Sequence, residues 1–391
     1  MTDINIGDKY IGWSTNSSVR ENGGSGGLVT AIFAAALHSG LVDKVIILKK
    51  INQFEAIQTI TDDVNEVLNS AGSMHMFVSN QTKYIRIFNN SLKLAVSLKP
   101  CDMRGIIEQS KRNTIDLDKL FTVGVNCGGT MLPEKMKGVI ENIYNLNPED
   151  ICGEEIEKGK LIIETKDKQK HEKSIDELEI NDNGRRENCR YCTTKIAKNV
   201  DLSCGNWGVP KELSNLGTFV EVNTEKGALY LKNAIDCGFV EITSVDSKNQ
   251  DIRTKINNVM IKMGDSQKKK IIKNIESNHL NYYISNFKNC IHCNACKSVC
   301  PVCACDKDAK CTEYSDILDS YPISIYQLTR FLHLSDSCIG CGHCTDVCPS
   351  DIPLTNLYRR FANKIQDKLK YIPGIDTKKP PFFANKLEEI E

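Results

Sequence analysis

The chain has 391 residues, 40% of them apolar, which is enough for two or three domains with their own hydrophobic cores. Fifty Lys and Arg side chains balance fifty Asp and Glu side chains, and this net charge of zero argues against a nucleic acid or an anionic membrane as the partner. The start, MTDINIGDKY, has no apolar signal region, and the longest apolar stretch, residues 28–42, is too short to span a bilayer. We therefore expect a cytoplasmic protein without a membrane span, in which many of the 18 cysteines bind metal.

The first distinctive stretch is a glycine-rich turn that leads into an apolar helix. Residues 23–27 read GGSGG, and residues 28–37 form the predicted helix. Free backbone N–H groups at the start of a helix favour a bound phosphate or pyrophosphate. The spacing fits neither a P-loop nor the GxGxxG fingerprint, so a plain flexible loop before a buried helix is an equal alternative.

Strands, loops and helices then alternate. The sequence predicts a buried strand at 45–48 and further strands at 92–98 and 120–125. It also predicts a helix that includes residues 67–68 and ends at 71–73, and a helix at 103–112. Loops with distinctive residues follow three of these elements, at 71–73, 99–102 and 126–129. This alternation predicts an α/β domain with functional loops at strand ends, while ordinary turn chemistry is the alternative at each loop.

The middle of the chain combines charged residues with cysteines. Residues 156–185 are rich in Lys, Glu and Asp and are predicted to form a solvated hairpin or loop. Cys189 and Cys192 form a CxxC pair, and Cys204 follows. Together with Cys127 they have the number and type of ligands for a [4Fe–4S] cluster, while zinc or buried free thiols are the alternatives. Residues 252–287 have a helical pattern.

Two cysteine runs near the C-terminus carry the strongest signal. They are Cys290-x2-Cys293-x2-Cys296-x3-Cys300-Pro301 and Cys338-x2-Cys341-x2-Cys344-x3-Cys348-Pro349. Each run has the bacterial ferredoxin spacing for a [4Fe–4S] cluster, in which the fourth cysteine binds the cluster of the other run. Paired CxxC motifs also suit zinc, but a zinc site has no need of this spacing twice.

Other residues in this region have no clear assignment from the sequence. A two-cluster ferredoxin does not need Cys303, Cys305 and Cys311, which are either ligands of an extra metal or buried thiols. His292 and His343 lie inside complete cysteine runs and are expected to adjust hydrogen bonding or solvent access rather than to bind metal. The tail after a helix at 356–369 is expected to dock on a partner or back on the body.

Taken together, the loops resemble the coenzyme F420 hydrogenase/dehydrogenase beta-subunit family. The resemblance covers roughly residues 8–355 and is carried by GGSGGLVTAIFAAALHSGLVD, AGS at 71–73, KPCD at 99–102, NCGG at 126–129, CRYC and DLSCGNWG. The stretches KPCDMRGIIEQSKRN and VGVNCGGT, with the two C-terminal cysteine runs, are nearest to the branch that serves F420-dependent formate dehydrogenases. Asp102 stands where many relatives have Gln, and Met74-His75 where many have Lys-Tyr.

The resemblance implies a set of cofactors and site residues. It implies FAD, the deazaflavin coenzyme F420 as substrate in hydride exchange, and three [4Fe–4S] clusters that carry single electrons. The implied FAD contacts are Ser25, Gly26, Gly27, Thr30, Gly72, Ser73, Lys99, Pro100, Cys101, Asn126, Gly128 and Gly129. The implied ligands of a proximal cluster are Cys127, Cys189, Cys192 and Cys204. Lys99 and Cys101 are the predicted catalytic residues, with Lys99 as a cation beside reduced flavin; a phosphate contact or a surface lysine is the alternative for Lys99.

The expected function is that of the electron-transfer beta subunit of a formate dehydrogenase. A catalytic alpha subunit with a molybdopterin or tungstopterin is the implied partner, because 391 residues leave no room for a domain of that size. A heterodisulfide reductase complex is a further candidate partner. Two alternatives are a homologous F420 oxidoreductase subunit of a hydrogenase or other redox complex, and a pure iron–sulfur relay without hydride chemistry.

The expected fold is an α/β flavin-binding domain with a C-terminal ferredoxin-like domain that holds two [4Fe–4S] clusters. We expect the α/β domain with its proximal iron–sulfur site at residues 1–245 and a helical connector at 246–286. The ferredoxin-like domain is expected at 287–355, and a C-terminal helix with a docking tail at 356–391.

Overall fold

The computed structural model describes residues 3–157, 159–273, 279–305 and 325–378. Cys311 and the part of the predicted tail after residue 378 lie outside the described residues. No helix in the described parts of the chain combines the length and the apolar character that a membrane crossing requires.

The strands form two separate sheets. In chain order they are β1 (Lys9–Ser14), β2 (Lys44–Lys50), β3 (Ala56–Thr61), β4 (Leu94–Leu98), β5 (Leu120–Val125), β6 (Ile151–Glu157), β7 (Lys160–Thr165), β8 (Lys170–Ser174), β9 (Leu202–Gly205), β10 (Thr218–Val222) and β11 (Val240–Ser244). The large sheet has the order β11-β1-β10-β9-β5-β4-β2-β3, and the small one the order β6-β7-β8. In the large sheet β2, β4, β5 and β9 are parallel to their neighbours in this group. Strand β10 is antiparallel to both β9 and β1, so β1 runs in the same direction as β9.

The helices surround the large sheet and build the C-terminal part. They are α1 (Ser17–Asn22), α2 (Leu28–His38), α3 (Val64–Asn69), α4 (Thr82–Phe88), α5 (Pro100–Ser110), α6 (Pro133–Val139), α7 (Ile175–Ile180), α8 (Glu187–Arg190), α9 (Glu225–Asp236), α10 (Ser247–Lys273), α11 (His279–Phe287), α12 (Ala295–Ser298), α13 (Ile325–His333), α14 (His343–Asp346) and α15 (Leu354–Leu369). Short turns of 3-10 helix occur at Leu117–Lys119, Pro148–Asp150 and Lys211–Leu213, and a π-helical turn at Ile140–Tyr144.

Both faces of the large sheet are buried. Alternate strand residues such as Val45 and Phe121 pack with α2 and α9 on one face, while Ile46 and Leu120 pack with α4 and α5 on the other. Strands buried on both faces read as continuous apolar runs, which is why the sequence predicted β5 at its observed bounds. The interior position of α2 likewise explains its apolar sequence.

The charged region at 156–185 contains the hairpin β7-β8, and a hairpin was one of the two predicted forms. The strands β6, β7 and β8 form the small sheet, and α7 follows it. Leu161 and Ile163 on β7 and Leu178 on α7 lie among the charged residues of this region and are buried with Met136 and neighbouring side chains. The charges therefore mark the solvated face of a small sheet whose other face is a core.

The C-terminal part packs on α5. Tyr371 donates a hydrogen bond to Glu108 at 2.7 Å, and the N–H of Gly374 donates to the same carboxylate at 2.6 Å. Arg104 donates through Nε to the carbonyl of Pro373 at 2.9 Å. The described part of the predicted docking tail therefore returns to the body of the protein.

Candidate functional site

Five strands of the large sheet end at one edge, because β1, β2, β4, β5 and β9 run in the same direction. The loops predicted to be functional lie at these ends: 23–27 beside Ser14, 99–102 after β4, 126–129 after β5 and 205–208 after β9. In open α/β sheets, ligands bind in the crevice outside the carboxyl ends of the strands. This edge is therefore the candidate functional site.

The glycine turn is held tightly against this edge. Gly26 and Gly27 have left-handed backbones, with φ of 72° and 66°. The carbonyl of Gly26 accepts from the N–H of Ser14 at 2.8 Å, and a Cβ on Gly26 would lie 2.4 Å from the carbonyl oxygen of Leu216. Gly27 is the N-cap of α2, whose first N–H groups have no intrahelical partners. The turn therefore has room for backbone alone and suits a phosphate at the helix start.

Two further predicted contacts lie in this turn and in α2. The hydroxyl of Ser25 donates to the carbonyl of Gly217 at 2.5 Å, so that it fastens the turn to the neighbouring loop. Thr30 is half-buried in the first turn of α2. Ser25 thus has a structural bond in place of a free hydroxyl.

The 71–73 loop meets the glycine turn. A Cβ on Gly24 would lie 2.7 Å from Oγ of Ser73, and a Cβ on Gly72 would lie 2.8 Å from the carbonyl oxygen of Asn22. The same Cβ on Gly72 would also lie 2.7 Å from Nζ of Lys50, at the end of β2. The structure thus brings together two loops that are about 45 residues apart in the chain.

The loop after β4 is organised by Asp102. Its buried carboxylate accepts from the N–H of Lys99 at 2.8 Å and from the N–H of Gln81 at 3.1 Å. Nζ of Lys99 lies 3.2 Å from Asp102 and donates to the carbonyl of Ser79 at 2.9 Å. Pro100, at the first position of α5, has no N–H to leave unpaired. Asp102 therefore caps α5 and pairs with Lys99.

The charge of Lys99 is maintained by its surroundings. Burial lowers the pKa of Lys99, but Asp102, Cys101 and Cys127 outweigh this effect and leave the pKa raised. Lys99 also lies 5.5 Å from the ring centre of Phe77. The predicted catalytic Lys99 is thus a cation beside cysteines at the sheet edge.

The loop after β5 combines one open position with two closely packed ones. A Cβ on Gly128 would have no heavy atom within 4 Å among the described residues, whereas a Cβ on Gly129, whose φ is 130°, would lie 2.7 Å from Cδ of Arg185. Asn126 donates through Nδ2 to Asn206 at 3.2 Å, while its Oδ1 has no hydrogen-bond partner in the described part of the chain and is buried against Gly205. Gly128 therefore borders the space in which a ligand can approach this loop.

Four thiols meet where β4 and β5 end. Burial, with smaller contributions from the nearby Cys189 and Cys192, raises the pKa of Cys127 to about 11. Burial also raises the pKa of Cys101, with contributions from Cys127 and Cys192. We call Cys101, Cys127, Cys189 and Cys192 the proximal thiol set. Buried thiols that disfavour each other's ionisation suit a cationic metal centre, which compensates their charge.

Cys204, which was predicted as a fourth ligand of the proximal cluster, lies apart from these thiols. It lies fully buried in the apolar core with Leu202 and Val220, on the sheet face covered by α2 and α9. Burial raises its pKa to about 12, and Arg253 is the charged group in the described residues that acts on it. The alternation of side chains along β9 turns Cys204 away from the site.

The C-terminal cysteines form two sets with exchanged fourth members. The first, the middle thiol set, consists of Cys300, Cys338, Cys341 and Cys344, whose charges act on one another. The second, the outer thiol set, consists of Cys290, Cys293, Cys296 and Cys348. These four line one small pocket that is partly open to solvent. Each set thus takes three cysteines from one run and one from the other, as the spacing predicted.

These sets differ from a single-ion site. No three His, Cys, Asp or Glu side chains in the described ranges converge on one point as ligands of a single ion do. A cubane instead spreads its four thiolates over four iron atoms. The number, type and exchange of the thiols fit [4Fe–4S] clusters.

Comparison with known proteins identifies the family. Residues 9–85 match the family model described as coenzyme F420 hydrogenase/dehydrogenase, beta subunit N-term, and residues 91–248 match the model of its C terminus. Residues 286–352 match the 4Fe-4S dicluster domain.

The chain is 38% identical over 373 residues to a protein of Methanocaldococcus jannaschii named F420-dependent formate dehydrogenase subunit beta, with 95% of this chain and 97% of that protein covered. The chain belongs to the coenzyme F420 hydrogenase/dehydrogenase beta-subunit family. The resemblance seen in the sequence is thereby confirmed.

Further relatives of this beta-subunit family agree. F420-dependent formate dehydrogenase 1 subunit beta of Methanococcus maripaludis is 38% identical over 376 residues, with 96% of this chain and 97% of that protein covered. A chain of the F420-reducing [NiFe] hydrogenase complex from Methanosarcina barkeri superposes with a TM-score of 0.58 at 18% identity, covering 71% of this chain and 96% of that one. The superposition on the hydrogenase chain shows that the two chains share a fold.

In this family member, two residues have surroundings that the sequence did not predict. Cys101, predicted as a flavin contact and a catalytic residue, lies beside Cys127 and Cys192 because β4 and β5 are parallel neighbours, and it also packs against the C-terminal core. A cysteine after each of two adjacent parallel strands is the signal that could have indicated this. Arg186 had no predicted role, although it precedes Cys189 by three residues.

Cys303, Cys305 and His343 lie in the C-terminal part of this beta-subunit chain. Cys303 is buried, and its carbonyl accepts from Lys83 at 2.9 Å, whereas Cys305 is exposed. Burial and Arg186 lower the pKa of His343 well below its usual range, so His343 is neutral. The predicted adjusting role of His343 stays a prediction.

Proposed function

We propose that this protein is the cytoplasmic beta subunit of an F420-dependent formate dehydrogenase. The observation that carries the proposal is the sequence of sites from the sheet edge outward: a glycine-lined crevice, the proximal thiol set, the middle thiol set and the outer thiol set. FAD, when bound, exchanges hydride with a deazaflavin and single electrons with iron–sulfur clusters. An order in which the flavin site comes first and the clusters lead away from it is what such a subunit needs.

The glycine turn and the loops beside it are proposed to bind FAD. Gly26 and Gly27 leave backbone N–H groups of α2 for the pyrophosphate, and no side chain larger than hydrogen fits there. Asn126 directly follows β5, and its side-chain amide is proposed to accept from an N–H of the flavin ring. Gly128 borders open space at the same edge. These features fit a flat cofactor held by backbone and one amide.

Lys99 is proposed as the cation of this site. Its ammonium group is held between Asp102 and the carbonyl of Ser79, so it stays charged and in place. A fixed positive charge stabilises an anion that develops next to it. Lys99 would therefore favour the reduced, anionic form of the cofactor, and Cys101 serves the proximal thiol set instead of a direct catalytic step.

The thiol sets follow one another toward the surface. Arg104 links the first two sets: its surroundings include Cys101, Cys192 and Cys338, and its Nη1 donates to the carbonyl of Ile339 at 3.1 Å. The outer set includes the exposed Cys293. We propose that electrons exchange there with a catalytic alpha subunit that bears a molybdopterin or tungstopterin, with a heterodisulfide reductase complex as a further partner.

Anaerobic purification of the full chain tests the proposal. We expect roughly twelve iron and twelve sulfide per chain, four for each thiol set, together with FAD. The same protein should bleach the absorbance of F420 when a reduced low-potential dye is the electron donor, and stripping and restoring FAD should remove and return this activity. Protein with full iron and no flavin would support a pure relay, and zinc in place of iron would end the proposal. A partner that is a hydrogenase rather than a formate-oxidising subunit would assign the chain to the other branch of the family.

A further inference from the structure

Arg186 lies between the proximal and the middle thiol sets. Its Nη1 approaches Sγ of Cys189 at 3.8 Å and Oγ1 of Thr130 at 3.4 Å. Its Nη2 donates to the carbonyl of Cys341 at 3.1 Å. One guanidinium thus contacts a thiol of the first set and the backbone of a cysteine in the second.

The charge of Arg186 is buried and is paired with a single carboxylate. The side chain is 3% exposed and forms an ion pair with Asp346, which is itself largely buried. Nη2 also lies 3.5 Å from Nδ1 of His343, and Nε is buried without a partner in the described part of the chain. An arginine stays protonated in proteins, so a positive charge is fixed between the two sets.

The surfaces around Arg186 are closely packed. A Cβ on Gly342 would lie 2.6 Å from side-chain atoms of Asn188, which shows how closely the loop of the second cysteine run approaches α8. Tyr191 donates from its hydroxyl to Asn356 at the start of α15 at 2.7 Å. Close packing excludes water, and a charge in such a medium acts more strongly on its neighbours than a charge in solvent.

We propose that Arg186 is a positioning residue that raises the reduction potentials of the two clusters beside it, those of the proximal and middle thiol sets, and that Asp346 moderates this effect. The inference rests on the proposed function, because it requires that both sets hold iron–sulfur clusters. Each cluster gains one negative charge when it accepts one electron, with no bond made or broken. A buried cation and N–H donors directed at a ligand sulfur and at the backbone of another ligand stabilise that added charge.

Substitutions of Arg186 and of Asp346 should shift the reduction potentials of the adjacent clusters in opposite directions. Arg186→Gln removes the cation and leaves Asp346 unpaired, so both adjacent clusters should become harder to reduce. Asp346→Asn keeps the cation and removes its counter-charge, so the same clusters should become easier to reduce. The outer thiol set should change least in both variants, because the middle set lies between it and Arg186. A residue that merely holds the fold together has no reason to produce shifts of opposite sign.

The test is a redox titration of the anaerobic, iron-loaded full chain followed by electron paramagnetic resonance. For Arg186→Gln we expect at least a tenfold fall in the reduction equilibrium constant of two clusters, which corresponds to about 59 mV for one electron. Asp346→Asn should raise the midpoints of the same two clusters. Arg253→Gln is the matched control, since Arg253 is also a buried arginine but lies beside Cys204 and Phe219, outside the three sets.

The outcomes are distinguishable. Wild-type protein without cluster signals would refute the proposed function before any variant is compared. Wild-type protein with three clusters, and Arg186→Gln with full iron and unchanged midpoints, would overturn the inference alone. If Arg186→Gln loses iron, Asp346→Asn decides: raised midpoints support the role of Arg186, and unchanged or lowered midpoints overturn it.

Discussion

Gly27 lies so close to Val19 that a Cβ on the glycine would be 2.4 Å from the carbonyl oxygen of Val19. Gly27→Ala should therefore force the glycine turn away from α1, because that oxygen belongs to the backbone and cannot rotate aside. The left-handed φ of 66° adds about 1 to 2 kcal/mol for any residue with a Cβ. We expect a lower midpoint of thermal unfolding and loss of most of the bound FAD, measured by flavin absorbance per chain.

Gly40 is the matched control for this substitution. Its φ of 67° is nearly the same, but a Cβ there would meet nothing within 4 Å among the described residues. Gly40→Ala should carry only the backbone cost and keep FAD. Equal flavin loss in both variants would mean that the close packing of the glycine turn has no special role.

Cys101→Ala and Cys204→Ala test which of these two cysteines binds the proximal cluster together with Cys127, Cys189 and Cys192. Cys101→Ala should remove about four iron atoms per chain, because a cubane of the proximal thiol set would lose one of four ligands. Cys204→Ala should keep all iron and destabilise the protein by about 1 kcal/mol through a small cavity in the apolar core. Iron and sulfide analysis of anaerobic protein distinguishes them, and the opposite pattern would restore the set predicted from spacing.

Cys341→Ser tests the order of the sites. The middle thiol set lies between the proximal and the outer sets, so its loss should stop transfer between the sheet edge and a partner at the outer set. Bleaching of F420 by a reduced dye should be partly retained, because the crevice and the proximal thiol set are intact. Equal loss of both activities would contradict this order. Cys237→Ser, which changes an exposed cysteine outside the sets, is the control.

The Lys99–Asp102 pair is predicted to support both stability and activity. Lys99→Gln leaves a buried carboxylate without its cation, which typically costs about 3 kcal/mol, although the two backbone donors of Asp102 remain. We expect a lower free energy of unfolding and slower F420 reduction. Lys99→Arg keeps the charge and should recover part of both losses. If Lys99→Arg loses as much stability and activity as Lys99→Gln, the positive charge is not the cause of either effect.

His75 and Glu154 are predicted to make stability depend on pH. Nδ1 of His75 lies 3.0 Å from Glu154, and the N–H of His75 donates to the same oxygen at 2.9 Å. Burial lowers the pKa of His75, but Glu154 outweighs it and raises the pKa above the usual 6.5. Burial raises the pKa of Glu154, but His75 and Lys50 outweigh it and leave the pKa below the usual 4.5.

The signs define a pH window. A raised pKa of His75 contributes stability below pH 6.5 that is lost as the pH rises through the folded pKa, and a lowered pKa of Glu154 contributes stability above pH 4.5 that is lost as the pH falls. The His75–Glu154 pair is thus most stabilising between pH 4.5 and pH 6.5. Thermal unfolding across the pH range should show this maximum reduced in His75→Gln and in Glu154→Gln. Unchanged curves in both variants would remove the pair as the cause.

The prediction of secondary structure succeeded where burial is continuous. Residues 120–125 form β5 as predicted, because a strand covered on both faces consists mainly of apolar residues. At 156–185 the sequence left a hairpin and a loop open, and the region forms a sheet in which Leu161 and Ile163 are buried on one face. Net charge in a window does not show on which face the apolar residues lie.

By itself, the sequence determined the family and the dicluster domain and predicted the exchange of cysteines between the two C-terminal runs, because these depend on spacing within a few residues. Only the tertiary structure decided that Cys204 lies in the apolar core, that Cys101 lies beside Cys127 and Cys192, and that Arg186 contacts Cys189 and Cys341. Those contacts depend on which strands are neighbours, on the face to which a side chain points, and on how the C-terminal part packs against the sheet edge. Such relations join residues far apart in the chain, and local spacing carries no record of them.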